Sequence, residues 1–172
     1  MKKENNVLAR KFGRVFRYID DLLAINGGGE FEQHYTEIYP SELELKKENV
    51  VNTETNFLEL NIHLNGHLFH TKLYDKRDAF GFSINRLPFK ESNIPQQMFY
   101  ASASAEILRI CRATSNLDNA TVSAKALVSR MIKQGATEQV LHRYLSKSLN
   151  KHGITLTNFN TTTANFVNGL VQ

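Results

Sequence analysis

A single cysteine, Cys111, stands in 172 residues, which excludes an internal disulfide framework and a cysteine-rich zinc site. A lone thiol of this kind fits a small buried residue on a helix. Long apolar runs are missing too. Nothing approaches the roughly 18 consecutive apolar residues of a membrane span, and the opening MKKENN lacks the apolar stretch of a secretory signal. The expectation is an intracellular protein with no membrane partner. A strong excess of one charge is absent as well: 21 Lys and Arg stand against 17 Asp and Glu, which permits a polyanionic partner without requiring one. No internal repeat is evident.

What remains is ordinary for a soluble globular chain, with 41% hydrophobic and 22% charged residues and enough length for one domain or two small lobes. The stretch that stands out is Phe16 to Ala24, FRYIDDLLA. Asp20 and Asp21 sit between apolar runs that read as two strands, and two neighbouring acids are poorly suited to a sheet edge unless something compensates them. A hard divalent cation, Mg²⁺ or Mn²⁺, does so, because it binds through one or two carboxylates plus substrate phosphates. The expected structure is a hairpin over 14–25 with Asp20 and Asp21 at its turn.

Further along, Asn26-Gly27-Gly28-Gly29 is a break without the spacing or the lysine of a phosphate-cradling loop. Glu30 to Tyr39 reads as a short helix with Phe31, Tyr35 and Ile38 on one side, stopped by Pro40. Alternation through SELELKK predicts a strand over 41–51 with Lys46 and Lys47 at its end. Asn65-Gly66 between alternating runs predicts a hairpin with a two-residue loop, pairing Leu64 with His67, Ile62 with Phe69, Leu60 with Thr71 and Leu58 with Leu73. The other face would set Glu59 against Lys72 and Asn61 against His70. His63 and His67 fall on opposite faces in that register, which argues against a zinc site.

The connector over 73–95 carries Phe80, Phe82, Ile84 and Phe89, read as packing between lobes. Three helices follow. Gln96 to Thr114 starts after Pro95 and carries Met98, Ala101, Ala105, Leu108 and Cys111 at helical spacing. Asp118 caps the second, which buries Ala124, Leu127, Val128 and Met131 and ends at Gly135. Thr137 caps the third, lined by Leu141, Tyr144, Leu145 and Leu149 before Gly153. Short links imply an antiparallel bundle, with Arg109, Arg112, Arg130, Lys133, Arg143, Lys147 and Lys151 along it. The uncharged, Thr- and Asn-rich stretch over 154–172 reads as a poorly ordered tail.

Tyr18-Ile19-Asp20-Asp21 resembles the Y-x-D-D signature of reverse transcriptases, and the order of the later segments extends the likeness. TKLYDKRD, SI and SNIP resemble a stretch in reverse transcriptases of eukaryotic retroelements of the Penelope-like kind, over roughly 14–153. The fold this implies is α+β: the C-terminal part of a polymerase palm, made of two β-hairpins and a short helix, followed by a three-helix thumb-like bundle. The divisions would be 1–75 palm fragment, 76–95 connector, 96–153 thumb and 154–172 polar tail.

The same resemblance implies roles. Asp20 and Asp21 would be catalytic metal ligands for two-metal nucleotidyl transfer in RNA-templated DNA synthesis, with Tyr18 under the primer terminus. Lys46 or Lys47 would lie near the incoming dNTP, though two solvated strand-end lysines fit equally. Phe57-Leu58-Glu59-Leu60 resembles the strand pair that grips the primer, with Glu59 where the family has Gly. Arg109, Arg112, Arg130 and Lys133 would meet the backbone of a template-primer RNA/DNA duplex. Only about a dozen residues precede the acidic hairpin, too few for one strand-helix crossover. Fingers and the first catalytic Asp are therefore expected to be absent and the chain inactive alone. Two other readings use the same residues: a noncatalytic nucleic-acid-binding remnant, and an interaction protein whose Asp20 and Asp21 form a plain surface turn.

Overall fold

The acidic hairpin and the Asn-Gly hairpin each close through a tight turn whose positive φ falls on the first loop residue. The computed structural model describes residues 12–25, 29–82, 84–152, 156–159 and 161–170. The features expected before residue 12, at Asn26 to Gly28 and at Gly153 lie outside these. The described chain is mixed α+β, with small antiparallel sheets and helices, and it divides into two compact units, 1–58 and 59–172.

In the first unit, β1 (Val15–Tyr18) pairs with β2 (Asp21–Ala24), so that Tyr18 faces Asp21 and Phe16 faces Leu23. The loop is Ile19-Asp20, one residue earlier than the expected Asp20-Asp21 turn, and Asp21 belongs to the ladder. Ile19 takes φ 53 there. After Gly29, α1 (Glu30–Ile38) forms as expected, its Phe31 and Tyr35 rings 6.5 Å apart, and ends before Pro40. The strand expected over 41–51 does not form: the segment is extended but joins no ladder, and alternation alone cannot make a strand without a hydrogen-bonding neighbour. The next strand is β3 (Glu54–Phe57). None of the described residues over 13–58 is buried. The apolar side chains of this unit are half-buried or exposed.

In the second unit, β4 (Leu60–Asn65) and β5 (Leu68–Leu73) form the hairpin at Asn65-Gly66, with a register different from the expected one. The loop is Gly66-His67. Asn65 pairs with Leu68, Leu64 with Phe69, His63 with His70 and Asn61 with Lys72. An Asn-Gly loop of type I′ needs positive φ at both loop residues; here only Gly66, at φ 61, has it, which suits a loop with Gly first. The pairing slides by two, so each side chain keeps its expected face while its partner changes. His63 and His70 become opposite neighbours and His67 lies in the turn.

Three helices follow: α2 (Gln96–Ala113) and α3 (Leu117–Lys133) pack beside β5, and α4 (Glu138–Lys151) packs on α2. The core runs through Phe99, Ala103, Ile107 and Ile110 of α2, Leu127 and Met131 of α3, and Leu141, Leu145 and Leu149 of α4. Each fully buried Leu, Ile, Met or Phe contributes about 1.5–3 kcal/mol of burial. The α3 and α4 stripes are as expected. On α2 the stripe is rotated: Met98, Ala101 and Ala105 are exposed, and the aromatic pair Phe99 and Tyr100 takes the core position. Larger side chains remove more surface from water than the alanines do. Cys111 is buried, and burial pushes its thiol up to about 11.

Backbone links lock the pieces together. The α2–α3 corner is tied to β5 by Ser115 N donating to the Thr71 carbonyl at 2.8 Å and Thr71 N donating to Ser115 Oγ at 2.9 Å. Asn116, rather than Asp118, caps α3, its side chain accepting from Asn119 N at 2.8 Å. Thr137 holds the cap position of α4 without a side-chain bond; its own N–H donates to the Tyr100 hydroxyl. Gly135 ends α3 at φ 96, and a Cβ there would stand 3.3 Å from Lys90 Cβ. The connector's Phe80, Phe82 and Phe89 are exposed instead of packed.

The last stretch is part of this core. Residues 156–159 form a 3-10 turn and α5 (Thr163–Asn168) follows, packed on α4 with Leu156, Phe166, Val167 and Leu170 buried. The expected disorder rested on the lack of charge and the scatter of apolar residues. Four of those apolar residues suffice once a ready-made helical surface lies beneath them.

Candidate functional site

The acidic turn is built by its neighbours in sequence. A β-branched residue with positive φ is a costly choice, roughly 1–2 kcal/mol for an L-residue in the left-handed region. Arg17 offsets part of it, since its Nε donates to the Ile19 carbonyl oxygen at 3.0 Å. The same guanidinium lies 5.4 Å from the centroid of the Tyr39 ring, just past the end of α1. Arg17 thus ties the loop to α1.

Asp20 lies at the loop tip and Asp21 opposite Tyr18, all exposed. Phe16, Tyr18 and Ile19 are 52%, 56% and 73% exposed. Neither carboxylate holds an ion pair or a side-chain hydrogen bond with a described residue. Such a pair of free oxygens fits a hard divalent cation that takes one or two carboxylates and completes its shell with water and phosphate. Among the described residues, no three Asp, Glu, His or Cys side chains converge on a metal position. The donors present fit partial coordination by Asp20 and Asp21 and no more.

The other expected site residues fall in two groups. Lys47 Nζ is 2.7 Å from Glu32 Oε1, an exposed pair within the first unit, and Lys46 is exposed. Phe57 ends β3, Leu58 and Glu59 make a turn with Leu58 at φ 55, and Leu60 opens β4. Continuous pairing through Leu58 does not occur.

Glu59 does not face Lys72 but meets Arg109, with Arg109 Nη1 2.7 Å from Glu59 Oε1. Arg109 also bonds the buried Glu106 through Nη2 at 2.8 Å, and Arg86 Nη2 reaches Glu106 Oε2 at 2.7 Å. Burial raises the Glu106 carboxyl, but hydrogen bonding and charge from Arg109, then Arg86, outweigh this and hold it below the usual range. Arg109 is likewise committed: desolvation opposes its charge, and Glu106 and Glu59 more than restore it.

A second cluster holds Arg130. Asp75 accepts from Arg77 through both carboxylate oxygens, and Arg130 Nη1 stands 3.8 Å from Asp75 Oδ2. The Arg77 hydrogen bonds outweigh burial and bring Asp75 to about 2. Of the four cations expected on phosphates, Arg109 and Arg130 are therefore engaged by carboxylates, while Arg112 and Lys133 are exposed. Sequence spacing shows which helix face a residue occupies. It does not show that an acid 50 residues away reaches the same face.

Sequence reasoning missed Arg17, Glu106 and Asp75. Two local signs were present: Asp75 two residues before Arg77, and Glu106 three residues before Arg109 on the same helix. No protein-family model, curated protein or solved structure matches the chain. No helix among the described residues is long and apolar enough to cross a membrane.

Proposed function

We propose that this chain is the palm end and thumb of a reverse transcriptase, whose whole protein carries out RNA-templated DNA synthesis by nucleotidyl transfer. The observation that carries the reading is the β1–β2 hairpin tip, where two exposed carboxylates without described partners stand beside Tyr18. Asp20 would hold Mg²⁺ or Mn²⁺, with Asp21 as second ligand or electrostatic support. A cation held there supplies positive charge to the reacting phosphate and lowers the pKa of an attacking hydroxyl. Tyr18, opposite Asp21 on the same face of the two-stranded sheet, would support the primer end. The helices over 96–151 would take the place of the thumb on a template-primer duplex.

A noncatalytic nucleic-acid-binding role is supported by the exposed Arg112 and Lys133 on the helices, which need no metal to meet a phosphate. Both readings keep nucleic acid as partner. They separate at the metal. In a Mn²⁺ titration followed by paramagnetic broadening of backbone amides, the resonances of 18–22 should broaden first, and Asp20→Asn should abolish the effect. Broadening that is unchanged in Asp20→Asn removes this turn from a metal role and with it the polymerase reading.

A further inference from the structure

From Gln139 to Gln172 the sequence has no Asp or Glu, while Arg143, Lys147 and Lys151 add three positive charges to a chain whose formal net charge is +4. All three are exposed on α4. Four-residue spacing places them one above another on one helix face, rising about 6 Å per step. Among the described residues none of them has a carboxylate partner, whereas Arg86, Arg109 and Arg130 all do.

The adjoining row on α4 is His142, Ser146 and Asn150, which opens on a groove of about 320 Å³ walled on its other side by Thr162, Thr163 and Asn168. His142 Nε2 lies 2.8 Å from Asn168 Oδ1 and ties the two walls together. Ser146 and Asn150 have no side-chain hydrogen bond to a described residue. A row of cations thus runs beside a row of neutral donors and acceptors.

We propose that this face of α4 and its groove bind the sugar–phosphate backbone of a nucleic-acid strand. The cations take phosphates, and Ser146 and Asn150 take sugar hydroxyls. The inference rests on nucleic acid as the partner but uses none of the acidic-turn residues. Steps of about 6 Å are close to two strand steps of about 3.4 Å each, so the three cations fall at the spacing of alternate phosphates. The 2′-hydroxyl, both donor and acceptor, matches the groove and distinguishes RNA from DNA. An anionic membrane is a poorer fit, because a surface-lying helix needs large apolar side chains beside its cations. Among the described residues over 138–170 there are no exposed large hydrophobics.

The test is fluorescence anisotropy of the whole chain with single-stranded RNA and DNA of mixed sequence across a salt series. Phosphatidylserine vesicles form a parallel arm. The triple variant R143Q/K147Q/K151Q should keep its helix content and lose at least tenfold in affinity, and its salt slope should fall by roughly 2, at about 0.7 per contact on a single strand. R112Q/K133Q should lose less. S146A/N150A should weaken RNA and leave DNA unchanged. Wild-type affinity and slope in the triple variant, or tighter binding to vesicles than to RNA, would overturn the proposal. Equal losses on RNA and DNA in S146A/N150A would overturn the assignment to sugar hydroxyls. Mn²⁺ broadening at 18–22 in the triple variant reads the acidic turn separately, so either result can fail alone.

Discussion

Arg17 Nε donates to the carbonyl oxygen of Ile19 across the turn that presents Asp20. The bond holds a peptide whose residue has φ 53, a conformation a β-branched side chain resists. Because the guanidinium also covers the Tyr39 ring, the geometry of the acidic loop depends on a residue after α1. The acids are positioned by a cation that bonds neither of them.

Removing Arg17 should therefore loosen the hairpin without unfolding the helical unit. A hydrogen bond of this kind contributes about 1 kcal/mol and an exposed cation–π contact about 0.5–1. Arg17→Ala should lower the protection of the β1–β2 amides by about 1–2 kcal/mol in native-state hydrogen exchange, with α2 to α4 unchanged. Tyr39→Phe should be nearly neutral and Tyr39→Leu should not. Equal protection in Arg17→Ala would show that the loop holds itself.

Ile19→Gly tests the strain directly. It relieves roughly 1–2 kcal/mol of left-handed cost and adds about 0.5–1 kcal/mol of chain entropy, for a net gain of about 0.5–1 kcal/mol in hairpin protection. Ile19→Val keeps the strain and should gain nothing. A loss in the glycine variant would mean that the Ile19 side chain contributes more than its backbone costs.

Much of this architecture was legible because local signals agreed with one another. The stripes of Leu127, Val128 and Met131 and of Leu141, Leu145 and Leu149, the stop at Pro40 and the turn glycine Gly135 each combine periodicity with a boundary residue. What was not legible depends on partners distant in sequence. The strand expected over 41–51 lacks a ladder neighbour, and Arg109 is claimed by Glu59, 50 residues earlier. The hairpin slide is a third kind of miss. Asn-Gly named the place of the turn correctly, yet whether Gly66 is its first or second loop residue rests on how the strands are held beyond it.

Acid should weaken the second unit at a definite point. Asp75 has its carboxyl at about 2 against an ordinary 3.8. A depressed carboxyl stabilises the fold above the ordinary value, and that contribution is lost as pH falls through 3.8 toward 2. The loss should be about 1–2 kcal/mol, smaller than the full linkage because solvent screens a pair near the surface. Urea melts between pH 5 and 2 should show it, at roughly the range where carboxylates protonate. Asp75→Asn should be less stable at neutral pH and flatter across that window; a wild-type slope in the variant would place the acid sensitivity elsewhere.

The C-terminal segment gives the largest expected effect. Phe166, Val167 and Leu170 are buried with Leu156 against the helical core. Truncating a buried Phe costs about 3–5 kcal/mol when the cavity cannot collapse. A six-residue helix held mainly by its packing on α4 can shift to fill space, so Phe166→Ala should sit near the lower end, about 3 kcal/mol. If 154–172 were a solvated tail, the same change would cost under about 0.5 kcal/mol, the usual range for surface substitutions. Chemical denaturation at equal m-value separates the two outcomes. The destabilised variant should also lose affinity for RNA, because α5 forms the far wall of the groove beside Ser146 and Asn150. Asn168→Ala removes the His142 bond without opening the core, so it should weaken RNA binding with little change in stability. Stability and binding falling together in Phe166→Ala, and binding alone in Asn168→Ala, would separate the segment's part in the core from its part in the groove.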